Sequence, residues 1–134
     1  MMPYTLPDSP ESNLSLIKAV GREHFAVHLD PVNIVNSPHR YYNNGALIRD
    51  CFKMLGPHIK SCHAKDIFLD DKLTTHLDEV RPGLGHLDYG TFLQEIDKLD
   101  SDMPLMIEHL KGAEEYARAA EHIRSIASQT GIHL

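Results

Sequence analysis

The sequence predicts an α/β fold in which three parallel strands alternate with helices, and three observations lead there. Segments of helical period and short strand-like segments follow one another in the order helix, strand, helix, strand, helix, strand, helix, the pattern of a parallel sheet covered by helices. Parallel neighbours need a crossover between them, and the intervening helices supply it. Each strand also ends on a side chain able to ligate a metal: Asp30 in "VHLD", His63 in "KSCH" and Glu108 in "LMIE". In parallel α/β folds the carboxyl ends of the strands are where sites assemble.

The elements follow in order. "MMPYTLPDSP" reads as loop. Ser9 then stands as a cap, with Pro10 at a first helical position, Glu11 and Ser12 in the first turn, apolar residues at Leu14, Leu16, Ile17 and Val20, and a stop at Gly21. "HFAVHLD" is a short strand, and "NIVNSPHRYYN", rich in Asn, Ser and Pro, is a loop. A second helix spans residues 45–55, with apolar residues at 47, 48, 51, 52, 54 and 55 and termination at Gly56 and Pro57. "IKSCHAKD" is the second strand. "IFLDDKLTTHLDEVRPGLGHLD" has no helical period and two glycines, so it is expected to be one long loop of the kind that carries function. His86 and Asp88 have the spacing of a metal pair, but Asp88 is expected to cap the third helix, "YGTFLQEIDKL". "PLMIEHL" is the third strand, and "AEEYARAAEHIRSIASQTG" is an amphipathic terminal helix.

Side-chain alternation places Phe25, Val27 and Leu29 on one face of the first strand, with Ala26, His28 and Asp30 on the other. In the second strand Cys62 and Ala64 oppose Ser61, His63 and Lys65; in the third, Leu105 and Ile107 oppose Met106 and Glu108. One polar face can therefore gather Asp30, His63 and Glu108. Such a donor set suits a divalent cation of intermediate hardness, Mn²⁺, Mg²⁺, Co²⁺ or Zn²⁺. Bland readings stand beside this one. Asp30 can be a turn residue after its strand, and His63 a core histidine bonded to backbone. Glu108 has the weakest bland reading, because an acid after Pro-Leu-Met-Ile seldom belongs in a strand unless it is paired. His28 is expected to fill an interior position, and Cys62 to be an inert packed thiol facing the helices.

Composition narrows the partners. Thirteen Lys and Arg against nineteen Asp and Glu give a net charge of −6, the wrong sign for neutralising phosphates, so nucleic acid is not expected. Two cysteines, no signal-peptide pattern and no run approaching 18 apolar residues point to a reducing cytoplasm and to no membrane contact. At 134 residues, 42% of them hydrophobic and 24% charged, the chain is expected to be one globular domain. Three strands are too few to close a barrel, and their edges carry no protecting charge. The chain is expected to be part of something larger.

The segments "FAVHLDPVNIV", "CHAKD", "RPGLGHLDYGTFLQEI" and "PLMIEHL", in this order and spacing, resemble the last three strands of the xylose isomerase-like (sugar phosphate isomerase/epimerase) barrels, and "MPYTLPDSPESNLSLIKAV" is similar to the stretch after their fifth strand. The resemblance implies a partial TIM barrel, residues 1–134 forming its C-terminal portion with strands equivalent to six to eight. It implies one divalent metal held by Glu, Asp, His and Glu, of which Asp30, His63 and Glu108 match the last three. The first glutamate would lie ahead of "MPYTLPD", and no acid in "MMPYTLP" can replace it. The activity implied is sugar or sugar-phosphate isomerisation or epimerisation, a proton transfer beside a carbonyl with Glu108 as a catalytic group. It is expected to be incomplete in this chain, with weak metal binding. Lys65, Arg81 and the residue at Asn33, where many relatives carry histidine, would contact a sugar or polyol substrate. Self-association or a complementing chain would finish the site. Two alternatives remain open: a non-catalytic barrel remnant or interaction domain, and an enzyme related to abasic-site endonucleases, against which the acidic balance and Asn33 count.

Overall fold

A computed structural model describes residues 5–134, so the first four residues of the expected opening loop lie outside the described residues. Helix α1, Pro10–Val20, forms where its end signals place it. Ser9 Oγ accepts from the Ser12 amide while Ser12 Oγ accepts from the Ser9 amide, a reciprocal cap, and Gly21 closes the helix in the left-handed region at φ 56°. Strand β1, Val27–Leu29, follows. The stretch expected to be loop after β1 is more ordered than its composition indicates. Pro31 begins a single 3-10 turn, Val32–Ile34, and Ser37 caps the short helix α2, Pro38–Tyr42, ahead of α3, Asn44–Leu55.

Strand β2, Ile59–Ala64, lies between β1 and β5, Leu105–Ile107, and pairs with both in parallel. His28 stands opposite Ser61 and His63 opposite Met106. The side chains that alternate away from the site make the core: Leu29, Cys62 and Ala64 are fully buried against Ile34, Ile48, Leu55, Phe92 and Leu93. Helix α3 packs between α1 and α4, Tyr89–Ile96, and α4 in turn packs on α5, Ala113–Thr130. Among the described residues the parallel strands form part of a barrel and do not close one. No helix among them is long and apolar enough to cross a membrane.

The expected long loop after the second strand is half wrong. It contains an antiparallel hairpin, β3 (Asp66–Leu69) paired with β4 (Leu77–Val80), in which Ile67 faces Glu79 and Leu69 faces Leu77. Its strands are short, its turn is polar and β4 is half acidic, so no apolar period announced it. Beyond the hairpin, buried Asp66 organises the remainder of the segment. Its Oδ2 accepts from the amides of Gly83 and Gly85 and its Oδ1 from those of Ile67 and Leu87, all at 2.9–3.0 Å. Four donors offset the cost of burying that carboxylate. Asp88 caps α4 through the Thr91 amide at 2.9 Å, as expected from its position. Buried Asn44 ties the segment to α3, donating to the His86 carbonyl at 3.0 Å and accepting from the Asp88 amide at 2.7 Å.

Candidate metal centre

Asp30, His63 and Glu108 meet at the carboxyl ends of β1, β2 and β5. One donor atom from each lies within 4.8 Å of the others. His63 Nδ1 is 2.8 Å from Glu108 Oε1 and 3.5 Å from Asp30 Oδ2. The two carboxylates arrive by different local routes. Asp30 sits where β1 gives way to the 3-10 turn, and its Oδ1 accepts from the Asn33 amide at 3.2 Å. Its Oδ2 is buried and is held by ion pairs, to the Lys65 ammonium at 3.0 Å and the His63 ring at 3.5 Å. Asp30 therefore serves turn and site at once, one oxygen for each. Glu108 follows the last residue of β5, and His109 then takes the left-handed conformation at φ 60°, which costs a non-glycine residue about 1–2 kcal/mol. That turn brings the His109 ring back over the site, with Nδ1 3.0 Å from Glu79 Oε1 and Nε2 3.4 Å from Glu108 Oε2.

Lys65 lies at the centre of the cluster. Its ammonium, 3% exposed, stands 3.0 Å from Asp30 Oδ2, 2.7 Å from Glu108 Oε1 and 3.1 Å from Glu79 Oε2. Burial works against the charge, but Glu108, Asp30 and Glu79 outweigh it and raise Lys65 well above its ordinary value. Partial burial likewise disfavours the Glu108 anion, yet Lys65, His63 and His109 prevail and hold its carboxyl below the ordinary value. The Lys65 carbonyl accepts from the Tyr89 hydroxyl at 2.7 Å, which fixes the backbone beneath the ammonium.

These groups line an open-sided cavity of about 680 Å³ that also takes in His28, Asn33, Asn36 and Ile67. Of the expected substrate contacts, Lys65 and Asn33 are in it. Arg81 is outside the lining, with its Nε donating to Glu115 at 3.0 Å. His28, expected to fill an interior, is exposed instead because the sheet is open on that side. Its Nδ1 contacts Ser61 Oγ, and its ring meets His63 edge-on with centroids 3.9 Å apart. Cys62 and Cys51 are buried thiols pushed by burial up to about 12, which makes them inert as nucleophiles near neutral pH. Glu79 and His109 escaped the sequence reading. Glu79 was hidden by the unrecognised hairpin; His109 was visible only as the neighbour of Glu108.

The donors fit a divalent cation. Two carboxylates and an imidazole on three adjacent strands are a suitable mixed set, their spread approaches the span of ligands around one ion, and buried Asp30 Oδ2 already faces a cation, the Lys65 ammonium at 3.0 Å. Among known proteins, a family profile described as Xylose isomerase-like TIM barrel matches residues 2–126. The chain belongs to that family. Two solved structures carry the same fold as this xylose isomerase-like chain. A xylose isomerase domain protein from Planctomyces limnophilus superposes with a TM-score of 0.72 at 20% identity, over 95% of this chain and 46% of that one. The probable 3-DHS dehydratase AsbF involved in petrobactin synthesis from Bacillus anthracis gives 0.65 at 22% identity, over 94% and 47%. This xylose isomerase-like chain thus spans about half the length of the structures it matches. No curated protein matches it.

Proposed function

We propose that this chain carries the metal-binding portion of a sugar or polyol isomerase or epimerase, with Asp30, His63 and Glu108 as ligands of one divalent cation and Glu108 as the group that moves a proton beside a carbonyl. The observation that supports it most is the convergence of these three donors, buried Asp30 among them, on one cavity. When bound, the cation would polarise adjacent substrate oxygens and so acidify the neighbouring C–H. The protein's own residues do the rest. Glu108, only 24% exposed and kept below its ordinary value, stands ionised at the cavity rim, ready to accept a carbon-bound proton and return it. Asn33 and Asn36 offer amide groups along the wall where hydroxyls would lie.

Calorimetric titration of the chain with Mn²⁺ tests the ligand set. Binding at one ion per chain is expected, weakened at least tenfold in each of Asp30→Asn, His63→Ala and Glu108→Gln. Deuterium incorporation from solvent into a ketose, expected only where self-association or a complementing chain finishes the site and lost there in Glu108→Gln, tests the chemistry. Metal binding unaffected by all three substitutions would remove the proposal.

A further inference from the structure

On the reading of Asp30, His63 and Glu108 as metal ligands, we propose that the Lys65 ammonium and the divalent cation are alternative occupants of one position, and that Glu79 is the positioning residue that receives Lys65 when the cation enters. Lys65 Nζ touches Asp30 Oδ2 and Glu108 Oε1, the same two oxygens that approach His63 Nδ1. An ion bonded to those oxygens at about 2.1 Å would lie within the space the ammonium holds, and two cations so close repel strongly. Entry of the ion therefore moves Lys65.

The hairpin has already prepared a place for it. Glu79 Oε2 is 3.1 Å from the ammonium, and Glu79 is carried on β4 of the hairpin rather than on the parallel sheet that bears the three ligands. Three carboxylates face one ammonium, so the cluster carries an excess of negative charge that an entering cation would offset. Lys65 thus need not leave the cluster or enter solvent. A short shift that exchanges two of its carboxylates for a closer contact with the third leaves every buried charge partnered, in either state. The device keeps a half-buried acidic cluster stable without metal and lowers metal affinity by the cost of moving the lysine.

Mn²⁺ titration calorimetry on the full chain and three variants tests this, with circular dichroism to establish folding. Lys65→Met is expected to bind Mn²⁺ at least tenfold more tightly than the wild type. Glu79→Gln is expected to bind about tenfold more weakly, since the displaced lysine loses its receiver, and this penalty should shrink below threefold in the Lys65→Met background. An equal penalty in both backgrounds overturns the proposal and makes Glu79 a direct partner of the ion. Wild-type binding with no gain in Lys65→Met overturns it while leaving the ligand set intact; no binding by either protein overturns the ligand set as well. A second measurement serves if Lys65→Met does not fold. In wild-type protein labelled with [ε-¹³C]lysine, the Lys65 signal, assigned through Lys65→Arg, should shift on addition of diamagnetic Zn²⁺. A signal that stays in place overturns the displacement.

Discussion

Asp30 ends its strand on an acid for two reasons that occupy different oxygens. Oδ1 steadies the turn at Val32–Ile34 through the Asn33 amide, and Oδ2 faces the cluster with Lys65 and His63. Substitutions can separate them. Asparagine retains an oxygen for the Asn33 amide but loses the charge, so Asp30→Asn should keep the metal-free stability within about 1 kcal/mol while weakening Mn²⁺ binding at least tenfold. Alanine loses both oxygens, and Asp30→Ala should be less stable than Asp30→Asn by about 0.5–2 kcal/mol, the usual cost of a lost cap. Urea unfolding of the three metal-free proteins measures the first effect, and calorimetry the second. A stability loss in Asp30→Asn as large as in Asp30→Ala, with unchanged metal affinity, would make the charge structural.

The segment between β2 and α4 shows how an element can be held by one side chain. Asp66 gathers four amides, and Gly85 passes so close that a Cβ there would collide with Asp66 Oδ1 and the Ile67 carbonyl. Gly85→Ala must push the loop off Asp66, leave buried polar groups unpaired and disturb the backbone beside Lys65. A loss of about 2 kcal/mol or more is expected, within the class of strongly destabilising substitutions. Gly90→Ala, whose Cβ would meet only Asp88 Oδ1 at 3.5 Å, serves as the control and should change little. Thermal melts of both variants check the contrast.

For the molecule as a whole, the acidic cluster links metal to stability. A cation that binds the folded chain and not the unfolded one stabilises it by mass action, about 2.7 kcal/mol at a concentration one hundred times Kd. Chemical unfolding with Mn²⁺ at that ratio should show a gain of that order, reversed by EDTA and absent in His63→Ala. A midpoint indifferent to Mn²⁺ would leave Lys65 as the permanent partner of the three carboxylates. Much of this architecture was already readable in the chain. Cap residues, glycine stops and the alternation of Val27, Leu29, Cys62 and Ala64 are local signals, and they sufficed for α1, α3, α4 and α5, the parallel strands and the shared face of Asp30, His63 and Glu108, but not for the short α2. The hairpin was not readable, because β4 is half acidic and gains its place only by pairing with β3. Nor was the position of Lys65 among Asp30, Glu79 and Glu108, or the return of His109 over the site. Those depend on distances between residues far apart in the chain, and a pattern read along one strand carries no information about which charge will be buried beside which.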